Sequence, residues 1–178
     1  IFIPHSHHID SLNLSMALGM TLMHFSKDEF KDKELISSPM KKEVDRCKDV
    51  LELAKSGKVV SLISSGDAGV YGMAGIMLEV GGDQCEIIVI PGVTACNAAA
   101  AVVGAPIMHD SVNISLSDLL TDWELIKKRV ALASEGDFVI ALYNPKSNGR
   151  VTQLDEAREI MMKYKKKETG VAIVKNAK

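Results

Sequence analysis

An aspartate set among glycines is the first place in this chain where residue types and spacing point to chemistry. Residues Ser64 to Gly75 read Ser-Ser-Gly-Asp-Ala-Gly-Val-Tyr-Gly-Met-Ala-Gly. Glycines at 66, 69, 72 and 75 remove side chains along one path, so the backbone can bend through positive φ and a ligand can approach main-chain amides. Asp67 is the carboxylate left among them. An acid here repels phosphate and suits a ligand offering ammonium, hydroxyl or other positive groups. A tight strand-to-helix turn whose Asp caps the helix accounts for the same residues equally well. Two further turns have the same place in the pattern, each following an apolar run: Pro91-Gly92-Val93-Thr94, and the polar stretch from Tyr143 through Asn144, Pro145 and Lys146 to Arg150.

The elements that must position these turns follow from periodicity. Ser38-Pro39 reads as a helix start, and Met40, Val44, Cys47, Leu51 and Ala54 fall on one face before Gly57 ends the helix. Lys58 to Ile63 is apolar on both faces, which predicts a central parallel strand covered by helices, and Glu86 to Ile90 predicts a second buried strand. Between them Met73 to Val80 predicts a helix, and a small-residue helix opens after Thr94 and runs through Ala95, Ala98 to Ala101 and Val103. Gly104-Ala105-Pro106 breaks both periods and reads as a linker. Beyond it come a strand at Val112 to Leu116, a capping box from Thr121 to Glu124 opening a helix to about Ser134, a strand at Asp137 to Tyr143, a helix from about Thr152 to Lys165, and a strand at Gly170 to Val174. Strand and helix alternate, so the class is α/β with mainly parallel pairing. The expected division is an atypical terminus over 1–30, an N-terminal α/β lobe over 31–106 and a C-terminal α/β lobe over 107–178.

Composition bounds the function. The chain has 178 residues, 47% hydrophobic and 25% charged, with net charge -2 and only 4% aromatic residues, which argues against a broad nucleic-acid footprint. The basic run Lys163 to Lys167 falls at a helix end, where cations complement the helix dipole. Three cysteines without Cys-x-x-Cys spacing read as reduced, and no apolar run is long enough for a membrane span, so the expected location is cytoplasmic. His5, His7, His8 and Asp10 cluster near the start, but without a second ligand group at fixed spacing no metal site is assigned. Gly-x-Gly-x-x-Gly, Walker, Gly-x-Ser-x-Gly and His-Glu-x-x-His motifs are all missing, as is an obvious nucleophile and base pair. Three turns at strand carboxyl ends, with no reactive pair among them, suit a reaction in which an already activated cofactor is positioned against its acceptor.

Four blocks then carry a resemblance: Gly66-Asp67-Ala68-Gly69-Val70-Tyr71-Gly72-Met73-Ala74; Pro91-Gly92-Val93-Thr94-Ala95; His109-Asp110 with Ile114 to Thr121 and Trp123; and Ala141-Leu142-Tyr143-Asn144-Pro145 with Arg150. In order and spacing, from about Leu35 to Ala177, they resemble the tetrapyrrole methylases. The resemblance implies two α/β lobes with S-adenosyl-L-methionine folded into the cleft between them. It implies methyl transfer to C-17 of precorrin-3B or its cobalt form, with ring contraction, in cobalamin (vitamin B12) biosynthesis, by a homodimer. Carried over by position, Gly66, Asp67, Val70 and Tyr71 would line the methionine and ribose end of the cofactor, with Thr94 and Ala95 beside them and Leu142, Tyr143 and Asn144 toward the adenine. Carbon methylation moves protons, and His109 is the titratable candidate; a histidine bonded structurally to Asp110 is the alternative. Lys146 and Arg150 would meet the substrate's carboxylates. The family's Gly-x-Gly-Pro-Gly loop does not occur in residues 1–30, and family members continue through further strands of the second lobe, so the expectation is an incomplete fold that transfers methyl groups poorly. A sister methylase of the same group and a non-catalytic binding or assembly piece stay open as other readings.

Overall fold

The computed structural model describes residues 34, 36 and 42–175. The expected helix start at Ser38-Pro39, its Met40, and the His5, His7, His8 and Asp10 cluster lie outside the described residues. The chain divides into two compact units, residues 1–94 and 95–178.

In the first unit, helix α1 (Glu43–Lys55) buries Cys47 and Leu51, four residues apart on one face. Val44, expected on that face, is half exposed, and Val50 packs inward instead. The helix stops as its sequence says it should. Gly57 takes φ +88, and the Gly57 and Lys58 amides donate to the Ala54 and Leu53 carbonyls, a Schellman stop that a residue with Cβ would strain. Helix α2 (Ala74–Gly81) lies against α1, and Gly81 is the point of closest approach: a Cβ there would stand 2.9 Å from the Met77 methyl and 3.3 Å from Leu51 Cδ1. Cys47, Leu51, Met73 and Met77 form the core, joined by Leu62 and Ile87 from the two extended segments.

Those segments correct an expectation. Residues 58–63 and 86–90 make no ladder among the described residues, and only one face of each is covered: Leu62 and Ile87 point into the core while Val59, Ile63, Ile88 and Ile90 are exposed. Apolar runs report that side chains avoid water. Ladder bonds belong to the neighbouring strand, which a run cannot specify. The same holds for residues 170–174, which make no ladder among the described residues and expose Val171 and Ile173.

In the second unit, β1 (Ser111–Ser115) and β2 (Val139–Tyr143) pair in parallel with Ser111 opposite Val139 and Ser115 opposite Tyr143. Parallel neighbours need a crossover, supplied by α4 (Trp123–Glu135). Ile126, Val130 and Ala133 recur at spacings of four and three, so one face of α4 packs on Ile114 and Leu116, with Ala157 of α5 (Gln153–Met161) completing the core. The cap of α4 is Asp122, whose carboxylate accepts from the Glu124 amide, rather than the expected Thr121. Trp123 Nε1 and Thr152 Oγ1 both donate to Glu156, tying α4 to α5 and holding that carboxyl below its usual range. Helix α3 (Ala95–Val102) buries Ala100 and exposes Ala95 and Val102. Gly104-Ala105-Pro106, read from sequence as a linker, closes α3: Gly104 takes φ +87, the Ala105 amide donates to the Ala100 carbonyl, and Pro106–Met108 follows as a 3-10 turn.

Candidate functional site

Each unit carries a constrained turn where its extended segments end. In the first unit the turn is built by glycine. Gly66 takes φ +72, and Gly72 sits where a Cβ would lie 2.6 to 2.7 Å from the Ala68 and Asp67 carbonyls and Ser64 Oγ. Gly92 is tighter still, since its Cβ would stand 2.2 Å from the Gly66 carbonyl oxygen, so the two turns touch backbone to backbone. Asp67 joins them. Its Oδ1 accepts from the Gly69 amide at 2.7 Å and its Oδ2 from the Gly92 amide at 2.8 Å. The Gly92 amide, then the Gly69 amide, hold the carboxyl below its ordinary range against a smaller desolvation effect. Asp67 therefore does not cap α2, whose N-cap position is Met73. Tyr71 takes φ +54 with its side chain half exposed. A bulky residue in the left-handed region costs about 1 to 3 kcal/mol and persists only where its surroundings impose it. Val70 donates its amide to the Asp67 carbonyl, and Thr94 is buried at the end of the second turn.

In the second unit the turn follows β2. Tyr143 Oη accepts from the Cys96 amide at 2.8 Å, satisfying one of the orphan donors in the first turn of α3. Asn144 takes φ +51, a conformation that asparagine tolerates, and its Nδ2 donates to Ser115 Oγ at 3.0 Å. Arg150 is 8% exposed. Its Nε donates to the Asn144 carbonyl at 3.0 Å, its Nη1 to Ser117 Oγ at 3.2 Å, and the same nitrogen lies 3.7 Å from Asp118. Ser147 and Arg150 also exchange backbone bonds at 3.1 Å each, closing the loop that carries exposed Lys146.

The candidate residues thus divide. Gly66, Asp67, Val70 and Tyr71 share one turn with Gly92 and Thr94 alongside. Tyr143 and Asn144 share another. Ala95 begins α3 and is exposed. Leu142 is half-buried in β2 and packs against the core. Arg150 is turned inward, with its Nε and Nη1 bonded to Asn144 and Ser117. His109 precedes β1, whereas Asn144 follows β2; with parallel strands in register these are opposite ends of the sheet, seven residues apart along the strand direction or on the order of 20 Å at the strand rise per residue. Ser115, Ser117 and Asp118 were not among the candidates, although Ser-x-Ser-Asp directly after a strand marks a place where hydroxyls and a carboxylate leave the sheet. Among the described residues no group of three or more His, Cys, Asp or Glu could hold a metal ion, and no helix is long and apolar enough to cross a membrane.

Comparison with known proteins agrees with this architecture. The crystal structure of the methyltransferase CobJ superposes with a TM-score of 0.66 at 41% identity, covering 70% of this chain and 54% of that one. A probable cobalt-factor III C(17)-methyltransferase of Salmonella typhimurium is 49% identical over 160 residues, 88% of this chain and 66% of the relative. The cobalt-factor III methyltransferase of Priestia megaterium is 48% identical over 82% of this chain and 28% of its own length, and a precorrin-3B C(17)-methyltransferase of Sinorhizobium is 43% identical over 73% and 54%. The chain thus spans about two thirds or less of each of these relatives. Residues 11–177 match the profile of the tetrapyrrole (corrin/porphyrin) methylases, and the chain belongs to that family.

Proposed function

We propose that this chain acts as an S-adenosylmethionine-dependent C-methyltransferase on precorrin-3B or its cobalt form, at C-17 and with ring contraction, in cobalamin biosynthesis. The observation that carries the reading is an identity of 43–49% to proteins named for this reaction. The turns support it physically. A glycine-lined backbone with an exposed aromatic ring suits a cofactor gripped through main-chain groups, and Gly66, Val70 and Tyr71 offer that surface for the methionine and ribose end, with Thr94 and Ala95 beside them. Leu142, Tyr143 and Asn144 are assigned to the adenine end. The bound sulfonium supplies an activated methyl group. The chain's own residues orient it, since near-attack positioning alone contributes several kcal/mol to such a reaction, about 7 or more in favourable cases. Lys146, exposed on the loop after β2, meets substrate carboxylates; Arg150, internally engaged, holds that loop in shape instead. The reading extends to a homodimer working in the cytoplasm.

Calorimetric titration of the folded chain with S-adenosylhomocysteine tests cofactor binding. Incubation with S-adenosylmethionine and cobalt-containing or cobalt-free tetrapyrrole, following S-adenosylhomocysteine release, tests turnover and separates the two substrates. Saturable binding with release dependent on one tetrapyrrole is expected. A folded chain that is silent to S-adenosylhomocysteine overturns the reading.

A further inference from the structure

We propose that Asp67 is a positioning residue: its carboxylate latches the turn after residues 58–63 to the turn after residues 86–90, and so sets where the main-chain atoms of both stand for the ligand. Its ligand, the methionine and ribose end of the cofactor, rests on the reading above; the latch itself does not.

Three features lead to this role. First, the two carboxylate oxygens are divided between the two turns, Oδ1 on the Gly69 amide of its own turn and Oδ2 on the Gly92 amide 25 residues on. A carboxylate meant to meet a ligand's ammonium would turn its oxygens outward; here each is aimed at a backbone donor, and bonds from N–H to an ionised acceptor are the strong kind. Second, the contact it closes has no slack. Gly92 lies so near the Gly66 carbonyl that a Cβ would come within 2.2 Å, so the latch fixes a backbone-to-backbone approach that only glycine permits. Third, the residues it holds in place are those with unusual backbone: Gly66 and Tyr71 at positive φ on one side, and the loop leading to buried Thr94 on the other.

The latch separates from direct ligand contact by experiment. Asp67→Asn keeps the shape but loses one acceptor and sets an NH2 against an amide donor, whereas Gly92→Ala pushes the same turns apart and leaves the carboxylate intact. For a latch, each variant weakens S-adenosylhomocysteine binding on the order of tenfold, the scale of one charge-assisted hydrogen bond, and the double variant is little worse than either single one. Direct contact predicts losses that multiply, and that result overturns the proposal. A second measurement needs no ligand: in the NMR spectrum of the free chain the Gly92 amide proton should lie downfield and move upfield by a clear margin in Asp67→Asn, while amides of α5 stay in place to report an intact fold. A Gly92 amide indifferent to Asp67→Asn overturns the latch. A parent chain that does not bind S-adenosylhomocysteine overturns the functional reading alone, since the amide shift still decides the latch.

Discussion

The two turns solve one problem with opposite chemistry. In the first unit an aspartate accepts from two backbone amides and clips two glycine turns together. In the second an arginine donates to a backbone carbonyl and a serine hydroxyl, and clips the exit of β2 to the exit of β1. Glycine turns point N–H groups inward and leave room for a short acceptor. The β2 exit turns a carbonyl inward instead, and reaching it from a residue past the loop takes a long side chain with several donors. The difference extends to solvent. Arg150 is buried and its removal strands several partners at once, whereas Asp67 stands nearer water, so its loss is felt more in the geometry of the turns than in the stability of the unit.

The largest expected effect follows from that contrast. Arg150→Ala should lower stability by about 2 to 3 kcal/mol, because the Asn144 carbonyl and Ser117 Oγ lose their donor and Asp118, still bonded by Gln153 Nε2, loses its ion-pair partner. Urea unfolding reads this directly, and Arg150→Lys should restore little of it, since an ammonium cannot reproduce the fork. An unchanged midpoint for Arg150→Ala would mean that the β2 exit is held by something other than the guanidinium. Gly92→Ala comes next, at about 1 to 3 kcal/mol from overpacking against the Gly66 carbonyl; a variant as stable as the parent would show that the two turns separate freely. Ser117→Ala removes one acceptor of Arg150 and should cost about 1 kcal/mol by the same unfolding measurement, roughly a third of the arginine's effect.

The smallest effect distinguishes the two clips by pH. Asp67 has its native pKa lowered from 3.8, so its contribution to stability is fully present above the unfolded value and is lost as pH falls through the lowered native value. Comparing thermal unfolding of Asp67→Asn and the parent from neutral pH down to the acid limb should therefore show the two curves converging below about pH 4, the unfolded carboxylate range, as the parent loses what the variant already lacks. Parallel curves at all pH values would place the carboxylate outside any interaction that depends on its charge.

How much of this was legible depended on how local the cause was. Gly57 was readable as a helix stop because the left-handed conformation is a property of that residue and its neighbours. The face of α4 was readable because Ile126, Val130 and Ala133 repeat at the helical period, and only the cap slipped by one residue, from Thr121 to Asp122. The glycine turn was located as a place of close backbone approach, and Gly72 and Gly92 show why side chains are excluded there. The segment at 58–63 was read as a strand covered on both faces and that at 86–90 as a second buried strand, since apolar patterning marks burial without naming the partner that would pair or cover them.

By itself the sequence determined where the helices lie, the places where the chain must turn, and the family, because each is written in residues close together or in the order of short blocks. The tertiary structure alone decided which turn Asp67 bonds, that Arg150 points inward rather than out, and that His109 stands at the opposite end of the parallel pair from Asn144. A carboxylate or a guanidinium has the same formula whether it faces water or a backbone group. Its partner is chosen by which distant segment the packing brings within hydrogen-bond reach, as it does for Asp67 and Gly92 across 25 residues of chain.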